Sequence, residues 1–321
     1  MAVDFFFSLS GFIMCYTYKD SFLLREGGAY RNFLAKRVAR IVPLNLFMLA
    51  AICIAGAFSA RILGTNLFYP EQDLAFNLAA NVLMLQGLGI GVNLNAPSWT
   101  ISTECCAYIL FPVLLAAIYR TRWLCIVSVC SAMISLFGLA IQHPHLGLPG
   151  MSAAGGLTRC LAEFALGMAA YRLYRQPKAA GFIGSEKVTA ALSIGAASSL
   201  ILGYDLPAAL LFPLIVIAFA VDGGRLGRWL DAPVIYFLGV ISYSLYLVHN
   251  MFRAPALLLL KALSPQPVGP ITAIIATFLG ALVVVPFACL TYAYVEKPGR
   301  SIVRGLLSLR PASSPVRRTA A

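Results

Sequence analysis

The fold class is most readily seen in one apolar stretch that carries polar groups at helical spacing: Gly239-Val240-Ile241-Ser242-Tyr243-Ser244-Leu245-Tyr246-Leu247-Val248-His249. Ser242, Tyr246 and His249 stand at positions i, i+4 and i+7, which share one face of an α-helix. They therefore form a polar stripe on an otherwise apolar helix. An ionisable side chain at membrane depth is costly and usually has a function. The alternative is a histidine that packs helices by bonding a neighbouring hydroxyl.

The composition of the whole chain indicates an integral membrane protein. Of its 321 residues, 60% are hydrophobic and 11% are charged, and the mean hydropathy is +0.84. These values exclude a soluble domain. The net charge of +12 comes from 24 basic and 12 acidic residues. Most of the basic residues lie in short segments between apolar runs, so we expect positive-inside topology and contact with membrane lipid, not binding to nucleic acid.

The apolar segments predict an all-α, polytopic membrane helical bundle with about nine spans. The predicted spans are residues 1–18, 41–60, 99–119, 123–142, 158–174, 187–203, 206–221, 234–252 and 271–295. Segment 74–88 is interrupted by polar residues, and we predict a re-entrant or interfacial helix there. With this assignment every basic residue falls on one side of the membrane except Arg61, Arg159, Arg253 and Lys261. That side is predicted to be cytoplasmic.

This topology also predicts the domain organisation. The N-terminus is expected outside, and residues 1–300 form one membrane domain. Residues 19–40 are expected to form a basic loop, and Pro298 is expected to end the last helix. Residues 301–321 are expected to form an unstructured, basic cytoplasmic tail.

Five motifs occur in a fixed order along the chain. They are Val3-Asp4-Phe5-Phe6-Phe7-Ser8-Leu9-Ser10-Gly11-Phe12, Arg37-Val38-Ala39-Arg40-Ile41-Val42-Pro43, Ser98-Trp99-Thr100-Ile101-Ser102-Thr103-Glu104, the Ser242–His249 stripe and Glu296-Lys297-Pro298. Together they resemble the acyltransferase-3 family of bacterial membrane O-acyltransferases over nearly the whole chain.

The resemblance implies an enzyme of the bacterial inner membrane. Such an enzyme moves an acyl group, expected to be acetyl, from a cytoplasmic acyl-CoA-type donor to a hydroxyl of an exported polysaccharide or glycolipid. It also implies ten spans, and the first span, before the Val3–Phe12 segment, is expected to be missing here. Two alternatives stay open: a transporter or flippase for a lipid-linked sugar, and a shortened, non-catalytic relative.

Three titratable residues are predicted to be catalytic, because the predicted topology puts them toward the outer ends of their spans. His249 is the candidate base that takes the proton of the acceptor hydroxyl. Glu104 and Asp4 are carboxylates that could orient the imidazole, stabilise its cation or hold sugar hydroxyls. The alternative for Glu104 is an interfacial carboxylate beside an aromatic belt that includes Trp99. The alternative for Asp4 is a helix N-cap.

Two further sets of residues complete the predicted site. Ser242, Tyr246 and Trp99 are predicted to line the acceptor pocket. Arg37 and Arg40, one helical turn apart, can reach the same phosphate-bearing ligand. The resemblance places this pair near the acyl donor, whereas positive-inside anchoring is the alternative.

No metal site and no bound cofactor are expected, since acyl-CoA would be a co-substrate. The eight cysteines lie mostly in apolar segments and lack metal-ligand spacing. His143 and His145 are expected to be ordinary loop residues. Arg159 and Glu163, spaced i and i+4, are expected to form a local ion pair.

Overall fold

The computed structural model describes residues 1–69, 72–142, 154–222, 227–228, 230–263 and 269–307. These residues are predominantly helical and contain no strand, which confirms the predicted all-α class. The principal helices are α1 (Ala2–Leu23), α2 (Ala29–Leu63), α3 (Leu74–Val82), α4 (Ser98–Tyr119), α5 (Arg122–Gln142), α6 (Ala154–Tyr174), α7 (Pro177–Ile183), α8 (Glu186–Ile201), α9 (Asp205–Asp222), α10 (Pro233–Leu263), α11 (Pro270–Thr291) and α12 (Lys297–Leu306). His143 and His145 lie outside the described residues.

Several of the described helices are long and apolar enough to cross a membrane, so the chain is a multi-pass membrane protein. By length and composition there are five: Ala29–Leu63, Ser98–Tyr119, Arg122–Gln142, Pro233–Arg253 and Ile275–Leu306. The count of nine spans stays a prediction. Helices α1 and α6 make the most extensive helix–helix contact in the described part of the chain, and each carries a charged residue that meets one on the other.

Two glycines bring α1 and α6 into backbone contact. A Cβ added at Gly11 would lie 2.0 Å from the carbonyl oxygen of Phe164, and one added at Gly167 would lie 1.9 Å from that of Ser8. Small residues of this kind allow membrane helices to approach closely. An aromatic core flanks the pair, with the rings of Phe33 and Phe111 stacked at 5.1 Å.

The segment predicted to be re-entrant forms α3 and a 3-10 turn over Gln86–Leu88. With nine residues, α3 is about 14 Å long, too short to cross a hydrocarbon core of about 30 Å. Its asparagines hold the chain that follows. The amide N–H of Val92 donates to Asn77 Oδ1 at 2.8 Å, and Asn81 Nδ2 donates to the Val92 carbonyl at 2.7 Å.

Two sequence-based boundaries are wrong. The predicted loop over 19–40 is helical except for residues 24–28, because α1 continues to Leu23 and α2 runs without a break from Ala29 into the apolar span. The last helix does not end at Pro298. A π-helical turn over Tyr292–Glu296 leads directly into α12, where Pro298 occupies the first turn, the part of a helix that tolerates proline. The predicted boundary at residue 300 thus falls within α12, and residues 308–321 lie outside the described part of the chain.

Candidate active site

Arg37 is held between two tyrosine rings on the first part of α2. Its Nη2 donates a hydrogen bond of 3.0 Å to the hydroxyl of Tyr18. Its guanidinium carbon lies 5.5 Å from the centroid of the Tyr18 ring and 5.8 Å from that of Tyr108. Its Nε is buried and has no hydrogen-bond partner among the described residues. Arg37 therefore has a fixed position and a donor to spare, whereas Arg40, one turn later, is exposed.

The C-terminal helix brings a third arginine to the same region, which the sequence analysis missed. Gly299 lies against α2, since an added Cβ would be 2.5 Å from the Cβ of Pro43. Glu296 is fully buried, accepts a hydrogen bond of 2.5 Å from Ser244 Oγ and forms an ion pair with Arg300. Arg300 and Arg40 are close enough for their charges to interact. We call Arg37, Arg40 and Arg300 the arginine end of the site.

The i, i+4 spacing of Glu296 and Arg300 was the available signal for this third arginine. The sequence predicts a helix end at Glu296-Lys297-Pro298, and the Glu296–Arg300 spacing runs across that predicted end. The contact with α2 depends on the close approach at Gly299 and was not visible in the sequence.

Glu104 lies between two polar neighbours on one face of α4. Thr100, Glu104 and Tyr108 follow at i, i+4 and i+8, so their side chains share that face. Glu104 Oε1 accepts a hydrogen bond of 2.5 Å from the Tyr108 hydroxyl and a second from Ser10 Oγ on α1. The described hydrogen bonds leave Oε2 unused. We call Thr100, Glu104 and Tyr108 the polar face of α4.

Tyr246 connects the histidine-bearing helix to this polar face. The hydroxyls of Thr100 and Tyr246 form a hydrogen bond of 3.1 Å. The rings of Tyr246 and His249 lie 5.8 Å apart, and His249 Nδ1 lies 2.6 Å from the Tyr246 carbonyl oxygen. A carbonyl can only accept, so Nδ1 carries the proton and Nε2 is the free, basic nitrogen of the neutral ring. We call Thr100, Tyr246 and His249 the histidine end of the site.

Ser242 occupies a position one turn before Tyr246 and is half-buried. The contact to the C-terminal helix is made by its neighbour Ser244, which hydrogen-bonds Glu296. His249 is exposed. Among the described hydrogen bonds, those of Glu104 go to Ser10 and Tyr108 and not to the imidazole, which is oriented by the backbone instead.

Asp4 is fully buried in an ion pair that joins α1 to α6. Its two carboxylate oxygens contact the Nε and Nη2 of Arg159, the latter at 2.6 Å. Arg159 also lies 3.7 Å from Glu163 and 5.8 Å from the centroid of the Trp99 ring. The predicted local pair is therefore present, but Asp4, 155 positions away, makes the closer contact. Asp4 lies inside α1 and is not its N-cap, which is Met1.

The predicted site residues thus fall into three linked groups. Arg37 and Arg40 lie at the arginine end, Tyr246 and His249 lie at the histidine end, and Asp4 and Trp99 meet through Arg159. Tyr108 follows Thr100 by eight positions along α4, a rise of about 12 Å. The polar face of α4 therefore bridges the two ends.

Comparisons with known proteins agree with the resemblance noted in the sequence. The model of a family described as "Acyltransferase domain" matches residues 1–293. "Acyltransferase MdmB" of Streptomyces mycarofaciens is 26% identical over 275 residues, which are 78% of this chain and 67% of that protein. "Putative membrane-bound transacylase BcsY" of Komagataeibacter xylinus is 27% identical over 267 residues, 78% of this chain and 65% of that protein. No solved structure shows a significant match.

Proposed function

This chain belongs to the acyltransferase family whose domain model covers residues 1–293, and on that basis we propose that it is an O-acyltransferase of the bacterial inner membrane. The proposed donor is a cytoplasmic acyl-CoA, acetyl-CoA in the simplest case. The proposed acceptor is a hydroxyl of an exported polysaccharide or glycolipid. The C-terminus lies on the cytoplasmic side in this scheme.

The single observation that carries the proposal is the polar face of α4. It gives one continuous series of polar side chains, Thr100, Glu104 and Tyr108, between a histidine and a cluster of arginines. An acyl-CoA carries phosphates and does not cross the bilayer, whereas an exported glycan lies on the other side. An enzyme that joins them needs a polar route through its core, and α4 supplies the side chains for one.

The arginine end suits a phosphate-bearing donor. Guanidinium groups bind phosphate through two parallel N–H donors, and Arg37 has a buried Nε without a partner among the described residues. Arg40 and Arg300 add two positive charges at the rim. The ion pair with Glu296 fixes the position of Arg300, because the Glu296 carboxylate is itself held by a hydrogen bond from Ser244.

The histidine end suits the acceptor. Nε2 of His249 takes the proton of the acceptor hydroxyl while that oxygen attacks the thioester carbonyl of the donor. The C–S bond breaks, the thiolate of the donor leaves and is protonated, and the acyl group ends as an ester on the glycan. Tyr246 and Ser242 line the acceptor side together with Trp99.

The two carboxylates have different tasks in this scheme. The free Oε2 of Glu104 accepts a hydrogen bond from a substrate hydroxyl or amide midway between the ends. Asp4 is a structural residue, because its two oxygens hold the guanidinium of Arg159 and join α1 to α6.

The test uses oriented membrane vesicles that contain the full chain. Radiolabelled acetyl-CoA is supplied either outside or inside right-side-out vesicles, and label is measured in the extracted glycan. We expect incorporation only when acetyl-CoA is on the cytoplasmic face, and at least tenfold less with Glu104→Gln. Equal incorporation from both faces, or none from either with folded protein, would contradict the proposal.

A further inference from the structure

A groove of about 660 Å³ opens between α5, α6 and α9, away from the polar face of α4. One end of the groove carries the polar residues Arg122, Arg172 and Gln176. The remainder is apolar and is lined chiefly by Ile126, Val129, Met133, Leu166 and Leu210. Among the described residues that line it there is no carboxylate. The groove is therefore positively charged at one end and apolar along the rest of its length.

The length of the groove matches one leaflet of a bilayer. Arg122 and Met133 both belong to α5 and are eleven positions apart, a rise of about 16 Å. A hydrocarbon core of about 30 Å gives each leaflet about half of that thickness. One acyl chain thus fits along the groove from the charged end to its apolar end.

The charged end lies at the level of a lipid headgroup. Trp123, directly after Arg122, has 77% of its surface exposed, and exposed tryptophans mark the membrane–water interface. Arg172 donates through Nη1 to the carbonyls of Ile118 and Thr121, the latter at 3.2 Å, at the end of α4. It is therefore held at the end of a helix, while Arg122 stands exposed next to it.

This charged end is also on the same side of the bundle as the arginine end of the site. Helix α4 has Thr100 near one end, at the histidine end of the site. Further along, Tyr108 lies beside Arg37. Near the other end of α4, Arg172 contacts the carbonyl of Ile118. The groove and the proposed donor cluster consequently face the same leaflet without sharing a residue.

We propose that this groove is a binding site for an anionic phospholipid. The lipid phosphate lies between Arg122 and Arg172, and one acyl chain follows α5 and α6 toward Met133 and Leu166. Two guanidinium groups without a carboxylate favour a headgroup with net negative charge over a zwitterionic one. The proposal depends on the membrane location of the chain and not on its acyltransferase chemistry.

The test compares two lipids and two arginines. Full-length protein in detergent is titrated with phosphatidylglycerol or phosphatidylcholine, and occupancy is read by native mass spectrometry. We expect each arginine to favour phosphatidylglycerol about fivefold, so the preference should be about 25-fold in wild-type protein and should fall to about fivefold in Arg122→Gln, which keeps Arg172. Arg120→Gln is the matched control, since Arg120 is exposed, lies two residues away and does not line the groove.

A second variant tests the apolar part. Ala169→Phe places a ring in the groove and is expected to weaken both lipids, whereas wild-type protein binds one lipid with preference. Equal binding of the two lipids to wild-type protein would overturn the proposal. So would an unchanged preference in Arg122→Gln, which is an exposed substitution that leaves the packed core intact.

Discussion

The hydroxyls of Thr100 and Tyr246 lie 3.1 Å apart across the interface of α4 and α10. This hydrogen bond joins the helix that carries His249 to the helix that carries Glu104. The site therefore has two different ends, because α4 extends from this hydrogen bond past Glu104 to Tyr108, which lies beside Arg37. The two substrates of an acyl transfer can then be assigned to opposite ends.

The donor assignment is tested by replacing a guanidinium with an ammonium. Arg37→Lys keeps the charge but loses the planar pair of N–H donors, so the KM for acetyl-CoA should rise about tenfold. Steady-state kinetics with purified protein provide the measurement. Arg31→Lys is the control, because Arg31 is an exposed residue of the same helix. An unchanged KM in Arg37→Lys would contradict donor binding by Arg37 and would favour a role in anchoring the helix at the membrane surface.

Arg300 is expected to act on the donor as well. Arg300→Gln takes the charge partner from the fully buried Glu296, so less folded protein is expected. Per folded molecule the KM for acetyl-CoA should rise about fivefold while kcat stays within about twofold, since a charge at the rim of the site contributes to binding more than to chemistry. Lys297→Gln removes a neighbouring exposed charge from the same helix and should change neither constant. Equal effects of the two substitutions would mean that Arg300 contributes only to the overall positive electrostatic potential of this face and does not contact the donor.

The close contact of α1 and α6 predicts a sharp stability effect. Gly167→Ala places a methyl group against the Ser8 carbonyl, 1.9 Å away, and the helices must separate. Overpacking of this kind costs roughly 1–3 kcal/mol, so the yield of monodisperse protein and its melting temperature should both fall. Gly138→Ala in α5 has open space around the added carbon and should be neutral. A normal melting temperature for Gly167→Ala would contradict the packing described.

Asp4 should behave as a structural residue. Asp4→Asn removes the closer of the two buried carboxylates that contact Arg159 and leaves Glu163 at 3.7 Å, and breaking a buried ion pair costs up to about 3–5 kcal/mol. We expect less folded protein but near-normal activity per folded molecule. Asp20→Asn is the control, because Asp20 is 78% exposed in its pair with Lys19 and surface pairs contribute little. A folded Asp4→Asn protein without activity would assign Asp4 to catalysis instead.

Sequence alone was sufficient for the fold class and the family, and the reason is physical. The bilayer forces apolar helices, so composition identifies a membrane bundle. The length of α3 agrees with the non-spanning segment that charge counting predicted. The predicted loop boundary is wrong because basic residues do not by themselves indicate a loop. The basic residues of 29–40 belong to a helix that continues into the membrane, and long cationic side chains of this kind can extend from a helix to the membrane surface.

The arrangement of the site was only partly predictable. The spacing of Ser242, Tyr246 and His249 indicated one helix face, but the partner of that face is Thr100, which periodicity could not identify. Asp4 and Arg159 pair across 155 positions, and only tertiary structure brings them together. Thr100, Glu104 and Tyr108 stand at i, i+4 and i+8 in the sequence, but Trp99 beside them equally indicates an interfacial segment.

His249 gives the most direct test of the account. His249→Asn retains a side-chain N–H for the Tyr246 carbonyl but has no basic nitrogen, whereas His249→Ala has neither. The measurement is acetyl transfer to glycan per folded molecule, with folded protein quantified in the same membranes. The account predicts a loss of roughly 100-fold or more in both variants, at nearly normal protein levels. Normal specific activity in His249→Asn would contradict it, because the imidazole would then be needed only for its hydrogen bond.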